Sequence, residues 1–157
     1  MKTYFKIIIL TLMAIFASQA FAANPKKYFD SLSSDVNFDY SYVSPYMLKA
    51  MGGQYIDGGG LNICADDISS IETISTLNAG TDDNLWDIIK KVKKENEMET
   101  LSTKKQGYYR YDVLGKLSAN GKILTNLLVI TQNTGNKVTV VYIVGKIPMD
   151  VIGLQFR

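Results

Sequence analysis

Two segments near the C-terminal end of the chain are apolar at every position: residues 127–130 (LLVI) and 140–144 (VVYIV). The turn-forming sequence Asn133-Thr134-Gly135-Asn136 lies between them and predicts a β-hairpin. A strand with one face in water alternates polar and apolar residues, so strands without alternation are central in a sheet and covered on both faces. Two interpretations remain open: the chain's own short helices cover both faces, or a partner molecule closes one of them.

The hairpin belongs to a longer series of strands joined by tight turns. Alternation and turn signals, including Asn120-Gly121, predict four strands over 97–104, 108–114, 123–132 and 137–147. Consecutive strands with short connections pair as an antiparallel meander. Upstream, the patterns predict helices at 25–32, 44–51 and 81–96, strands at 36–42 and 71–77, and a short helix after Pro148. The sequence therefore predicts an α+β fold, with helices packed mainly on one face of an antiparallel sheet.

Three local patterns support these boundaries. Ser44-Pro45 suits the cap and first position of a helix that Gly52-Gly53 ends. Thr81 or Asp82 is the expected cap of the helix at 81–96, whose apolar residues form one stripe. In the first strand, Val36 and every second residue to Tyr42 are expected on one buried face.

Residues 1–22 have the pattern of a secretory signal peptide. Lys2 and Lys6 precede an apolar run at 7–17, and Ala20-Phe21-Ala22 supplies the small residues of a cleavage site between Ala22 and Ala23. The alternative is an N-terminal membrane anchor, but the run is shorter than the roughly 20 residues that a span needs. We therefore expect an exported protein, periplasmic or secreted, with no stable membrane span after cleavage. Residues 23–157 show no repeat or linker and are expected to form a single domain.

Charge gives no reason to expect a nucleic-acid partner. The chain has 17 basic and 15 acidic residues, and 15 basic residues remain without Lys2 and Lys6. Charges that cancel produce no long-range attraction for a polyanion. The basic run at 90–94 is interpreted as the solvated face of a helix.

The chain lacks the residues that most catalytic and metal sites need. It has no histidine and one cysteine, which excludes His-based catalysis, zinc clusters and an internal disulfide. We expect no cofactor and no metal. Cys64 lies between apolar residues and is expected to be a buried thiol, with a reactive thiol as the alternative. The adjacent carboxylates Asp66-Asp67 and Asp82-Asp83 diverge on a helix and are interpreted as caps.

One run has the composition of a binding surface. In Tyr108-Tyr109-Arg110-Tyr111, strand alternation places Tyr109, Tyr111 and Val113 toward the core and Tyr108, Arg110 and Asp112 outward. Tyrosine and arginine are enriched at binding hot spots. Tyr108 and Arg110 are therefore the candidate partner-binding residues, although tyrosine is also an ordinary strand residue.

Four segments together carry a family resemblance: SPYMLKAMGG at 44–53, the strand at 71–77, the helix at 81–96, and VYIVGKI at 141–147 with Ile152. From Tyr28 onward the chain resembles a family of small exported bacterial proteins catalogued as domain of unknown function 4252. The resemblance implies an exported domain and carries no catalytic residues. Many relatives look like lipoproteins, whereas this chain has no anchor cysteine near residue 22.

These observations predict a non-enzymatic binding domain of the cell envelope, with an envelope protein or a second copy of the chain as partner. One alternative is an envelope hydrolase that uses carboxylates such as Asp39, Asp57, Glu72 and Asp112 on glycan or peptide. Another is a self-assembling structural component, suggested by the strands that are apolar on both faces.

Overall fold

The computed structural model of the protein describes residues 25–57, 61–78 and 83–155. The signal peptide and the Ala22–Ala23 cleavage site lie outside these residues, as do Gly58 to Gly60 and the caps expected at Thr81 or Asp82. In chain order the elements are β1 (Phe38–Val43), α1 (Pro45–Met51), β2 (Tyr55–Asp57), β3 (Asn62–Cys64), β4 (Ile68–Thr76), α2 (Asp83–Glu95), β5 (Glu99–Gln106), β6 (Tyr109–Leu117), β7 (Ile123–Asn133), β8 (Val138–Pro148) and α3 (Met149–Gln155). Short 3-10 turns occupy Asp30–Leu32 and Ala65–Asp67.

Six strands form one antiparallel sheet in the order β1-β4-β8-β7-β6-β5, and β2 and β3 form a separate two-stranded ribbon. The α+β fold is confirmed, and β5 to β8 form the four-strand meander that the turn signals predicted. The two strands without alternation, β7 and β8, are the central pair of the six-stranded sheet, as their composition requires.

Elements of the same chain cover both faces of the sheet. One face, which we name the α2 face, buries Leu128 and Val140 together with the α2 stripe of Leu85, Ile89 and Val92. The opposite face is covered by α1, α3 and the β2–β3 ribbon. There the buried residues from these elements and the sheet include Leu48, Ile63, Leu127, Ile143 and Ile152. Two of the three helices in the described residues thus share a face. The chain's own elements cover both faces of the central strands, as the first interpretation held, with the β2–β3 ribbon adding to the helices.

The register of the sheet also depends on a glycine. Gly145 of β8 pairs with Ile68 at the irregular start of β4. A Cβ at Gly145 would lie 2.2 Å from the carbonyl oxygen of Asp67. Only glycine allows the two backbones to approach this closely.

The N-terminal elements differ from the prediction. The helix expected at 25–32 is only the 3-10 turn Asp30–Leu32, because the backbone N–H groups of Tyr28 and Phe29 donate to the Glu72 carboxylate across the sheet. Strand β1 begins at Phe38, and Val36 is 85% exposed rather than part of the buried face. β4 begins earlier than predicted, at Ile68.

The other local predictions have mixed outcomes. Ser44 caps α1 as expected, accepting a hydrogen bond from the backbone N–H of Met47 at 3.2 Å. Asp66 and Asp67, in contrast, do not cap a helix. They lie within a 3-10 turn, Cys64 occupies its N-cap position, and no side chain caps that turn. Cys64 itself is a free thiol and only half-buried, although its neighbour Ile63 is in the core.

Candidate functional site at the end of the meander

Two turns of the meander lie side by side at one end of the sheet and create a surface that we name the tyrosine tip. It comprises residues 103–112, around the β5–β6 turn, and residues 131–138, around the β7–β8 turn. Tyr109 of β6 pairs with Asn133 of β7, so the two turns are adjacent. A backbone hydrogen bond from the N–H of Thr134 to the carbonyl of Tyr108, 2.9 Å long, joins them directly.

The turns are shaped by residues that tolerate a left-handed backbone. Gly107 has φ +59° and precedes Tyr108 at the β5–β6 turn, and Asn136 has φ +58° in the β7–β8 turn. The side chain of Asn133 accepts the N–H of Lys137 at 2.9 Å and closes the second turn. The tip is therefore held by backbone geometry as well as by strand pairing.

A shallow depression of about 160 Å³ opens at the tyrosine tip. Both candidate binding residues, Tyr108 and Arg110, line it. The other lining residues are polar, cationic or aromatic, and none is aliphatic: Lys105, Tyr109, Gln132, Asn133 and Thr134. The structure thus brings the two predicted residues together. It adds residues of the second turn that sequence reasoning missed, because only the pairing of β6 with β7 places them beside Tyr108.

Aromatic surface is exposed at the tip. Tyr108 is 76% exposed and Tyr109 is 47% exposed. The rings of Tyr109 and Tyr111 lie 6.2 Å apart at an angle of 32°. The expectation that Tyr109 and Tyr111 face the core is therefore wrong for Tyr109. Only Val113 of the three is fully buried, since the core cluster on that side of β6 ends there and the strand continues beyond it.

Arg110 is held in place by Asp112. The Nε and Nη2 groups of Arg110 donate to the two carboxylate oxygens of Asp112 at 2.8 and 3.2 Å, and Thr103 donates to the same carboxylate at 2.7 Å. Asp112 was expected to face outward, but its side chain is only 19% exposed. Burial raises the pKa of the Asp112 carboxyl, but the hydrogen bonds from Arg110 and Thr103 outweigh it, and the net pKa is lowered. The hydrogen bonds to Asp112, followed by the charge of its carboxylate, raise the pKa of Arg110.

The tip carries more positive than negative charge. Its two segments contain Lys104, Lys105, Arg110 and Lys137, against the single carboxylate of Asp112. Such an excess is local, since the charges of the whole chain nearly cancel. At physiological ionic strength its field extends about 8 Å, which is enough to attract an anionic group that arrives at the depression.

Among the carboxylates considered for a hydrolase, Glu72 converges with neither Asp39 nor Asp112. Glu72 pairs with Tyr42 of β1, so the two side chains point to the same face of the sheet. Asp39 is three residues from Tyr42, and because side chains alternate along a strand it points to the opposite face. Asp57 lies on the β2–β3 ribbon. Glu72 and Asp112 point to the same face but are separated by three strand spacings and two residues, about 16 Å between Cα atoms. Glycosidase carboxylates lie roughly 5–10 Å apart.

Glu72 instead joins the N-terminal segment to the sheet. It is 2% exposed and accepts three hydrogen bonds, from the N–H of Tyr28 at 2.8 Å, the N–H of Phe29 at 2.9 Å and the hydroxyl of Tyr40 at 3.0 Å. Burial, followed by the charge of Glu72, raises the pKa of Tyr40. All its contacts are internal, which is typical of a structural carboxylate.

A row of polar side chains continues on the α2 face. Asn126 donates to the Tyr142 hydroxyl at 2.8 Å and to the Asn96 side-chain oxygen at 3.3 Å, and Asn96 donates to the Tyr28 hydroxyl at 3.1 Å. Burial raises the pKa of Tyr142 to about 12, so its phenol is protonated at physiological pH. Within residues 25–57, 61–78 and 83–155, every buried side-chain N or O atom has a hydrogen-bond partner.

Across the same residues, no three Cys, Asp or Glu side chains form a group suited to a metal ion. No helix in the described part of the chain is long and apolar enough to cross a membrane.

Comparison with known proteins gives one finding. The sequence profile of a family described as "Domain of unknown function (DUF4252)" matches residues 29–154, which confirms the resemblance. No curated protein and no solved structure matches the chain.

Proposed function

Because this chain belongs to the DUF4252 family, whose description names no activity, we propose a function from its own geometry: an exported, non-enzymatic binding domain of the cell envelope that binds through the tyrosine tip. The observation that carries this proposal is the meeting of Tyr108 and Arg110 in one depression, with an exposed aromatic ring beside an oriented guanidinium.

The exposed ring supplies binding energy that the isolated domain does not use. Covering most of the Tyr108 side chain with a ligand would contribute roughly 2 kcal/mol. The Asp112 pair restrains Arg110 before binding, which lowers the entropy cost of ordering its long side chain. A rigid pair of this kind suits recognition of a ligand with both a ring face and a charged group.

Two observations favour binding over chemistry. The sequence offers no histidine. Glu72 lies on the opposite face of the sheet from Asp39, and the carboxylates of Glu72 and Asp112 are engaged in internal hydrogen bonds. Because the chain's own elements cover both faces of the sheet, the apolar strands give no support to a self-assembling component.

Photo-crosslinking in intact cells tests the binding surface. A benzophenone amino acid replaces Tyr108 in one variant and Tyr46 in the other. Tyr46 is a suitable control because it is exposed on α1, which contacts the 3-10 turn before β4 at the other end of the sheet. Benzophenone inserts into C–H bonds of proteins and of glycans, so the readout does not depend on the class of ligand.

We expect a discrete adduct at position 108 and none at position 46. Adding Arg110→Gln to the Tyr108 variant should reduce the adduct at least fivefold. Equal labelling at both positions, or no adduct at 108, contradicts the proposal.

Export is tested separately by the intact mass of the protein in the periplasmic fraction and the medium. A mass that corresponds to a chain beginning at Ala23 supports export, whereas a full-length chain in the cytoplasm contradicts it.

A further inference from the structure

We infer that the ligand of the tyrosine tip is an acidic saccharide, bound through one sugar ring and its carboxylate. This inference rests on the proposed function, because it assigns a chemical class to the ligand of the same surface. Four features of the depression carry it: its size, the absence of aliphatic lining, its amide and hydroxyl groups, and its cationic border.

The size of the depression fits a single ring. Its volume of about 160 Å³ is below the roughly 300–1,000 Å³ typical of pockets for drug-sized ligands. It is open to solvent at the junction of two turns, so a longer chain can continue past it on either side. A polymer that places one unit in the depression and its neighbours outside matches this shape.

The lining suits a sugar better than a peptide side chain. Gln132 and Thr134 line the depression and carry an amide and a hydroxyl group, and Asn133 adds its side-chain NH₂ group, since its oxygen already accepts the N–H of Lys137. Such groups pair with the hydroxyl groups of a saccharide. The Tyr108 ring is exposed beside them, and the apolar C–H face of a pyranose packs against such a ring. None of the residues that line the depression is aliphatic, so the depression itself does not receive a hydrophobic anchor.

The charge selects an acidic sugar over a neutral one. Lys105 and Arg110 both border the depression. Asp112 accepts from Nε and from Nη2 of Arg110, and a guanidinium has five N–H donors, so three N–H groups of Arg110 are not used by Asp112. Charge-assisted hydrogen bonds from these donors to a ligand carboxylate are about twice as strong as those between neutral groups.

An acidic protein partner fits less well. A stable protein interface buries about 800 Å² on each side and has an apolar centre with a polar rim. The tyrosine tip offers two exposed rings surrounded by polar and cationic groups. We therefore assign the saccharide and treat an acidic peptide as the competing outcome of the test.

Isothermal titration of the purified protein compares three probes: tri-galacturonate, neutral maltotriose, and hexa-glutamate, which has the charge without the rings. We expect tri-galacturonate to bind at least tenfold more tightly than either of the others. Its affinity should fall severalfold between 50 and 500 mM salt, because exposed charges are screened.

Variants locate the binding. Tyr108→Ala and Arg110→Gln should each weaken tri-galacturonate binding tenfold or more. Tyr46→Ala and Lys146→Gln should leave it unchanged, since Tyr46 lies on α1 and the exposed Lys146 lies toward the end of β8 away from the tip. Thermal unfolding of each variant within about 2 °C of the unmodified protein establishes that the fold is intact.

Three results overturn the inference. The first is binding of hexa-glutamate as tight as that of tri-galacturonate. The second is an affinity for tri-galacturonate that does not change in Tyr108→Ala or Arg110→Gln. The third is binding of maltotriose as tight as that of tri-galacturonate. If the crosslink at position 108 forms in cells while tri-galacturonate does not bind, the saccharide is wrong and the binding surface stands. If neither occurs, the proposed function fails as well.

Discussion

Replacing Glu72 with glutamine is the sharpest test of how the N-terminal segment is held to the sheet. The change keeps the size of the side chain and removes its charge. In the native protein two oxygens accept three hydrogen bonds: Oε1 from Phe29 N–H and the Tyr40 hydroxyl, and Oε2 from Tyr28 N–H. A glutamine amide has one acceptor oxygen, and its NH₂ group cannot accept.

The expected loss follows from these bonds. If the amide oxygen takes the position of Oε1, the N–H of Tyr28 faces another donor, and an unsatisfied buried donor costs about 1–3 kcal/mol. The two remaining bonds lose their charge assistance, which contributes about 1 kcal/mol more. We therefore expect Glu72→Gln to lower the free energy of unfolding by about 3 kcal/mol, out of the roughly 5–15 kcal/mol typical of a domain.

Urea denaturation followed by circular dichroism measures the change. With a slope of about 2 kcal/mol per M, the midpoint should fall by about 1.5 M. Glu99→Gln is the matched control, because Glu99 is exposed on the edge strand β5 and its neutralisation should change stability by less than about 0.5 kcal/mol. Hydrogen exchange adds a local readout, since the amides of Tyr28 and Phe29 should lose protection.

A double-mutant cycle distinguishes a direct contact from a general effect. Tyr40→Phe removes one of the three bonds and should cost about 1 kcal/mol. The double variant should lose less than the sum of the single variants, because the bond that Tyr40→Phe removes has already lost its charge assistance in Glu72→Gln. Our reasoning is refuted if Glu72→Gln is no less stable than Glu99→Gln, or if the two amides stay protected.

Three further predictions concern the contact between β8 and β4, the cap of α1 and the tyrosine tip. Gly145→Ala should destabilise the protein by about 2 kcal/mol or more, because the new Cβ meets backbone atoms of Asp67 and Ile68. Gly135→Ala, where the nearest atom is a side-chain oxygen 3.4 Å away, should change the urea midpoint little, and equal losses would contradict this explanation. Ser44→Ala should cost about 1 kcal/mol by thermal unfolding through loss of the α1 cap, and no change would show that the cap is dispensable. The folded pKa of Asp112 is lowered, so its contribution is present above the unfolded value of about 4 and is lost as the pH falls through the folded pKa. Between pH 7 and pH 3, the free energy of unfolding should therefore fall by about 0.5 kcal/mol less in Asp112→Asn than in the unmodified protein. An identical pH dependence of the two proteins would argue against a stabilising Arg110–Asp112 pair.

The sequence was sufficient for elements whose signal lies within a few residues. Ser44-Pro45 marked the start of α1, and the apolar stripe of Leu85, Ile89 and Val92 marked the buried side of α2. Strong turn sequences marked the hairpins of the meander, and the continuous apolar residues of β7 and β8 required a central position. Hydrogen bonding and hydrophobic periodicity at short range determine such features, so they can be predicted without knowledge of the fold.

The N-terminal segment could not be predicted in this way. Its apolar spacing is that of a helix, yet the N–H groups of Tyr28 and Phe29 bond to Glu72, which is more than 40 residues away in the chain. A buried carboxylate needs donors, and this tertiary requirement outweighs a weak local preference for helix. Likewise, alternation alone placed Tyr109 in the core, whereas its exposure depends on where the covering elements end.

For the candidate site, the sequence by itself determined the chemical types and the tertiary structure decided the arrangement. The run around Tyr108 and Arg110 identified an aromatic and cationic surface, because those side chains have the same chemistry in any fold. That this surface is a depression completed by Gln132, Asn133 and Thr134 depends on the register of β6 against β7, which positions two turns separated by more than 20 residues. Register is set by the packing of both sheet faces at once, and no local segment contains that information.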